Sequence, residues 1–334
     1  MRKNSLPRVA LTMGDPLGIG PEIILKTLSS SEIWKICEPV VYGSAFVFRF
    51  YMDLLGLDMS VNIIDENSDF LPNVINVCPA VDFKVDKEKI GKIDEEAGGA
   101  AYRSFVCAID DALNNKIEAI VTAPLNKKAM NLAGHDFSGH TDILGKATKK
   151  KTVMMFSCPD LKVSLVTVHV ALSDVPELIT MHRVLHTIVS THDSLIKDFG
   201  IKSSSIGVCG LNPHAGEDGL FGSEEKLAIK LAIKKAQERG IDVEGPFPAD
   251  TIFTPINRMK YSAIVAMYHD QGLIPVKALC FDKAVNVTLN LPFVRTSPDH
   301  GTAFDIAGKG VASPVSFIEA VKLAGKIVQC RRNI

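Results

Sequence analysis

The sequence is short of the features that usually sort a chain quickly. No apolar run approaches the roughly 20 residues a spanning helix needs, which argues against a membrane-embedded protein. Neither sign of charge dominates: the formal net charge is −1, so no strong positive field draws the chain to nucleic acid or to an anionic membrane. The run Lys149-Lys150-Lys151 is short and reads as a solvated helix end. Aromatic residues make up only 7% of the chain, while Gly and Pro are ordinary in number, a balance typical of a globular enzyme. The seven cysteines are odd in number, scattered, and form no C-x-x-C pair, which predicts neither a disulfide framework nor a zinc-thiolate centre but plain core residues in a reducing cytoplasm. The basic start Met1-Arg-Lys-Asn is followed by an apolar stretch broken at Asp15 and Pro16, so no signal peptide is expected.

The familiar nucleotide motifs are missing too. Gly14-Asp-Pro-Leu-Gly18-Ile-Gly20 has the wrong spacing for a dinucleotide fingerprint. Gly139-His-Thr-Asp-Ile-Leu-Gly145-Lys146 has one residue too many for a phosphate loop and lacks its Ser/Thr. No G-x-S-x-G elbow is present.

What is present is a large apolar fraction, 46%, in short β-branched runs that alternate with helical patterns. Segments 8–13, 39–42, 118–122, 162–169, 205–209 and 262–267 read as strands, several apolar throughout, as in a sheet covered on both faces. Pro21 marks a helix start. Residues 180–199 carry an apolar stripe through Met181, Val184, Leu185, Ile188, Val189, Leu195, Ile196 and Phe199. Ser223 begins a helix with acids in its first turn, and Ser313-Pro314 begins a last one with Phe317, Ile318, Val321, Ala324 and Val328 inward. The alternation predicts an α/β protein with mostly parallel sheet, and a second lobe joined by chain that crosses back and forth.

Three histidines share a placement at or just past strand ends: His169, His214 and His269. Ligands of α/β sheets gather there, and three imidazoles suffice for a divalent metal with one position open. Separate loop histidines satisfied by backbone are the alternative. His182 and His186 flank the helical stripe and read as solvent-exposed; His192 reads as a satisfied core residue. Gly139-His140-Thr141-Asp142 opens a helix whose N–H groups and side chains suit an anion, or else an ordinary cap. Arg295 and Lys277 offer a planar fork and a point charge for phosphate or carboxylate. Asn286, an amide inside an apolar run, needs a partner.

Taken together, Ala10–Glu22, Val121-Thr-Ala-Pro-Leu-Asn-Lys127, Gly139–Asp142, Leu211-Asn-Pro-His-Ala-Gly-Glu217, Tyr268-His-Asp-Gln-Gly272 and residues 291–301 resemble the signature segments of the 4-hydroxythreonine-4-phosphate dehydrogenase family of vitamin B6 biosynthesis, in the family's order. Gly14–Glu22 and His300–Gly310 are more distantly similar to isopropylmalate and isocitrate dehydrogenases. The resemblance implies a two-lobed, three-layer α/β/α fold of the isocitrate/isopropylmalate-dehydrogenase kind rather than a Rossmann fold. It implies lobe I from residues 1–135 plus 300–334, with the dinucleotide loop, and lobe II from residues 136–299, with the metal ligands and the interface of a homodimer with shared active sites. It implies one divalent metal (Zn, Mg or Co) on His169, His214 and His269, and substrate contacts from His140, Thr141, Lys277, Asn286 and Arg295. By analogy with the distant relatives, His300, Gly301 and Asp305 would hold NAD or NADP, with the Asp305 carboxylate favouring NAD. Asn290 stands where the family pattern has glycine.

The implied reaction is oxidation of 4-phosphooxy-L-threonine to the 3-oxo acid, then decarboxylation to 3-amino-2-oxopropyl phosphate. Lys277, Asp250 and a metal-bound hydroxide are open as proton acceptor. A dehydrogenase of threonate or erythronate 4-phosphate is the nearest alternative, a phosphate acyltransferase and a non-catalytic metal-binding protein the more distant ones.

Overall fold

The computed structural model describes residues 5–64 and 70–334. The chain folds as two compact units, Met1–Lys150 with Leu291–Arg332 (unit 1) and Lys151–Asn290 with Asn333–Ile334 (unit 2). Among the described residues the strands are β1 (Arg8–Thr12), β2 (Glu38–Gly43), β3 (Val61–Ile63), β4 (Ile75–Pro79), β5 (Ala119–Thr122), β6 (Val153–Cys158), β7 (Leu161–Leu165), β8 (Ser205–Cys209), β9 (Asp242–Phe247), β10 (Ala263–Ala266), β11 (Val285–Leu289) and β12 (Val294–Pro298).

In unit 1 the order is β3-β4-β2-β1-β5-β12, every adjacent pair parallel. Val9, Ala10 and Leu11 are wholly buried, as the apolar run predicts for a strand covered on both faces. Helix Glu95–Leu113 begins where the Asp94 carboxylate accepts from the Ala97 N–H at 3.0 Å. It buries Phe105, Ala108, Ile109 and Ala112 in a core shared with Ala10, Val40 and Ile120; a side chain such as Phe105 contributes about 1.5–3 kcal/mol by leaving water. Helix Val315–Arg332 buries Phe317, Val321, Ala324 and Val328, with Ile318 only half-buried.

The division between the units differs from the expected one at 135/136 and 299/300. Ile143 and Leu144 of helix His140–Thr148, and Leu291 and Phe293 beyond β11, are buried in the core of Phe105, Ile109 and Ile120. Their burial assigns His140, Thr141 and Arg295 to unit 1 rather than to the segment that carries the three histidines.

Unit 2 orders its strands β11-β6-β7-β10-β8-β9. β11-β6-β7 is antiparallel and β7-β10-β8-β9 parallel. Helix Met181–Lys197 starts with the Thr180 hydroxyl accepting from the Arg183 N–H and buries Val184, Leu185, Ile188 and Leu195 against Ile206, Val208 and Val265. Its stripe is narrower than expected, since Ile196 is exposed. The helix expected from Ser223 opens instead with a π-helical turn, Glu225–Ile229, before Lys230–Gln237. The expected absence of disulfides is corrected at one pair: Cys158, ending β6, is bonded to Cys280, ending helix His269–Cys280, with Cα atoms 6.4 Å apart. Their sequence separation of 122 residues hides the pair from spacing rules. Among the described residues no helix is long and apolar enough to cross a membrane.

Candidate functional site

In unit 2, β7, β10 and β8 are parallel neighbours, so their carboxyl ends lie at one edge of the sheet. His269 begins its helix three residues past β10, and His214 lies in the loop after β8. His169 does not close a strand as expected: β7 ends at Leu165, and His169 lies four residues on. The intervening chain is nevertheless held to β10. Val166 N–H donates to Ala266 O, and both the N–H and the hydroxyl of Thr167 donate to Met267 O. The His169 and His269 rings consequently lie 5.6 Å apart, centroid to centroid. His169 and His214 are exposed. The three histidines of one chain do not form a set whose ligand atoms all lie within 4.8 Å of one another.

The donor set suits a divalent metal. His269 Nδ1 is 2.7 Å from Asp270 Oδ1. A carboxylate on one ring nitrogen orients the imidazole and leaves the other as ligand. His214 belongs to a turn in which His214, Ala215, Gly216, Glu217 and Asp218 all have φ between 40° and 81°. Four non-glycine residues there are held against their preference, a pattern typical of functional loops. The restraint is Glu225, only 3% exposed. Its Oε1 accepts from the Leu211 and Asn212 N–H groups at 2.8 Å each, and Oε2 from Asn212 Nδ2. Burial pushes this carboxyl up, but the bonds from Asn212 and Leu211 outweigh it and hold it below the usual range. Gln271 ties the two strand ends together, accepting from Met267 N–H and donating to Gly210 O at 2.8 Å.

Other residues of unit 2 differ in setting. Asn286, on β11, has a buried Oδ1 that meets no hydrogen-bond donor, so the predicted need for a partner is unmet within the protein. Lys277 is exposed on the helix that His269 begins. Asp250 is exposed in the first turn of helix Ala249–Ile252. Asn290 takes φ 64°, which an amide tolerates, and donates to Lys151 O at 2.8 Å. His182 is exposed as expected, but His186 is half-buried with Nε2 2.9 Å from Lys151 O, and half-buried His192 pairs through Nδ1 with Ser204 Oγ.

Unit 1 gathers cations. Arg295, on β12, is 3% exposed and donates through Nη2 to Thr122 Oγ1, at the end of neighbouring β5, at 2.7 Å. Burial pulls its guanidinium down to about 9. His140 stands edge-on to Phe105 with centroids 4.7 Å apart, and no side chain caps its helix at Gly139. Burial, then Arg295, then Lys127 hold the His140 imidazole well below its usual range. A buried guanidinium, an imidazole whose protonation is suppressed by two cations, and an uncapped helix start together match a bound anion. Lys127, exposed at the start of helix Lys127–Leu132, ends the segment Val121–Lys127 and carries no local signal of a role in the sequence.

The order of unit 1 reverses on either side of β1, so its switch point falls between β1 and β5. Asp15 N–H donates there to Pro124 O at 2.9 Å. The Asp15 carboxyl is wholly buried, its Oδ1 accepting from the Leu17 N–H. Burial raises it to about 7, the Leu17 bond opposing and Asp94 adding a little. Gly20 cannot carry a side chain, because a Cβ would run into the Met13 carbonyl. The segment after β12 is docked on this corner. Ile19 N–H donates to Thr302 O, Ala312 N–H to the buried Glu22 Oε1, and Lys26 Nζ to the carbonyls of Gly310 and Ala312. The two segments similar to isopropylmalate and isocitrate dehydrogenases are therefore in contact. His300 Nδ1 is 3.1 Å from Gly301 O, while its Nε2 is buried and unbonded; Gly301 and Asp305 are exposed. An unmet ring nitrogen beside an open loop suits a cofactor with hydrogen-bonding groups.

Residues 35–324 match the family described as pyridoxal phosphate biosynthetic protein PdxA. The chain is 42% identical over 322 residues to a protein of Oceanobacillus iheyensis provisionally named D-threonate 4-phosphate dehydrogenase, covering 95% of this chain and 97% of that one. It is 42% identical over 321 residues to 4-hydroxythreonine-4-phosphate dehydrogenase of Desulforapulum autotrophicum, covering 95% and 94%. The solved structure of 4-hydroxythreonine-4-phosphate dehydrogenase from Klebsiella pneumoniae is similar with a TM-score of 0.86 and 39% identity, over 96% of this chain and 99% of that one.

Proposed function

We propose that this chain, which belongs to the PdxA family of pyridoxal phosphate biosynthetic proteins, is a cytoplasmic, homodimeric, metal-dependent dehydrogenase of 4-phosphooxy-L-threonine. The observation that carries the reading is the buried Arg295 beside His140 and Lys127, a site that asks for an anion. Arg295, Lys127, His140 and Thr141 bind the phosphate and carboxylate. Asn286 Oδ1 accepts a hydrogen bond from the substrate amine. Lys277 or Asp250 takes the proton of the C3 hydroxyl.

His169, His214 and His269, contributed by both subunits, would hold a divalent cation, which supplies a Lewis acid for the hydroxyl and for the ketone that replaces it. The His300–Asp305 segment would hold the nicotinamide cofactor that accepts hydride, with the Asp305 carboxylate favouring NAD over NADP. Oxidation leaves a ketone β to the carboxylate. Carbon dioxide can then leave to give 3-amino-2-oxopropyl phosphate.

The second reading, D-threonate 4-phosphate as substrate, is favoured by the Oceanobacillus relative. It places a hydroxyl where the amine would be, and Asn286 Oδ1 accepts from either group. Initial rates of nucleotide reduction with each substrate, with NAD and with NADP, decide between them through kcat/KM. Chelation is expected to abolish turnover, and so is His214→Ala. Turnover unchanged by both, or no nucleotide reduction with either substrate, rejects the proposal.

A further inference from the structure

A second cluster of metal-binding side chains lies in unit 1 and shares no residue with the sites above. β2 and β4 are parallel, with Tyr42 directly opposite Cys78, so both side chains leave the sheet on the same face. Helix Glu95–Leu113 packs over this part of the sheet, and on it Cys107 and Asp111 are four residues apart, one above the other. The Sγ atoms of Cys78 and Cys107 and a carboxylate oxygen of Asp111 all lie within 4.8 Å of one another. All three residues are half-buried, open enough for an ion to enter.

We propose that Cys78, Cys107 and Asp111 form a binding site for one thiophilic divalent cation of the zinc and cadmium kind, with water completing a tetrahedron. Bonds of ~2.3 Å from a tetrahedral zinc to sulfur place ligand atoms about 3.8 Å apart, which the observed span accommodates with side-chain rotation alone. Two sulfurs select zinc or cadmium over magnesium or calcium. On binding, each S–H bond is replaced by a sulfur–metal bond and its proton passes to solvent.

The surroundings support the carboxylate as a ligand. Tyr42 O–H donates to Asp111 Oδ2 at 2.8 Å, the arrangement by which an outer hydroxyl orients a coordinating carboxylate. Lys116 Nζ lies 3.0 Å from Oδ1 and is 61% exposed, so it can swing aside and still offset the negative charge of the occupied site. Cys37 and Cys209 are buried elsewhere, and among the described residues no other set of three such side chains is this close. Because the ion would join strand β4 to helix Glu95–Leu113 only in the folded state, its binding stabilises the fold.

The test is a titration of the full-length, metal-stripped protein with cadmium and with zinc, in a phosphine reductant. The readouts are ultraviolet thiolate-to-cadmium charge transfer and thermal melting. In a Cys158→Ser/Cys280→Ser background, which removes the thiol pair the reductant would free, the charge-transfer band is expected to appear and to vanish when Cys78→Ser or Cys107→Ser is added. Asp111→Asn should weaken cadmium binding roughly 10–100-fold. His214→Ala should retain the band in full, which keeps this site distinct from the histidines and from the fate of the dehydrogenase reading. Zinc should raise the melting temperature of the wild type more than that of Cys107→Ser. No band in that background, an equal band when Cys107→Ser is added, or a Cys78–Cys107 disulfide that persists under reductant overturns the proposal.

Discussion

The cation cluster of unit 1 gathers by the carboxyl end of β5 and the histidines of unit 2 follow β7, β8 and β10, yet the two are built differently. Arg295 sits at 3% exposure on a strand, fixed by Thr122 and by the core behind it. His169 and His214 are exposed on loops, and the latter depends on a strained turn held from below by Glu225. A charge buried in a fold is a standing demand for its counter-ion, since desolvation acts whether or not the ligand is there. Exposed imidazoles make no such demand and gather only around what they bind. Anion recognition should therefore be sensitive to one residue, and metal binding to the support of a loop.

The largest effect that sharpens this contrast is expected at Arg295. Removing the fork forfeits two charge-assisted bonds of about 1.5–3 kcal/mol each, so Arg295→Ala should lower kcat/KM by about two to four orders of magnitude. Arg295→Lys keeps the charge without the bidentate geometry and should recover only part of the loss. Metal content, measured by elemental analysis, should not change in either variant; a parallel loss of metal would erase the distinction between the two regions.

Glu225→Gln probes the other side with a smaller expected effect. The amide keeps one oxygen for the Leu211 and Asn212 N–H groups but sets an NH2 donor against Asn212 Nδ2, itself a donor. Metal affinity by competition with a chelator should fall about 10–100-fold, while inhibition by inorganic phosphate stays the same. If phosphate inhibition weakens as much as metal affinity does, the loop and the cation cluster are not separable.

The smallest effect concerns stability. The folded-state pKa of Asp15, about 7, lies above its unfolded value near 4, so the unfolded chain releases this proton first as pH rises. The contribution is complete below about pH 4 and is lost as pH rises through about 7. Melting temperature should therefore decline across that window in the wild type, with a shallower decline in Asp15→Asn. Equal slopes would show that the buried carboxyl relaxes to solvent.

Much of this arrangement is legible from local signals. The apolar runs that became β1, β2, β5, β7, β8 and β10 are buried on both faces, so hydrophobicity alone marks them. β9 was not, because Gly245 and Pro246 interrupt it at a sheet edge where fewer apolar residues are needed. His214 and His269 fall past strand ends as expected, whereas the strand before His169 stops early. In the sequence Glu225 is only an acid in a first helical turn; its burial under the His214 loop comes from contacts across more than ten residues of chain. Gln271 and Lys127 were missed for the same reason, each polar and unremarkable until another segment is set beside it.

By itself the sequence determined what is repeated along the chain: strand and helix alternation, helix starts, the glycine corner before Pro21, and the placing of three histidines after strands. These follow from periodicity and backbone preference, which act between near neighbours. The tertiary structure alone decided that His140 and Arg295 come near one another in unit 1, that Cys158 meets Cys280, and that Cys78 stands beside Cys107 and Asp111. Burial and pairing are set by distances through space, and packing brings together residues that no spacing along the chain connects.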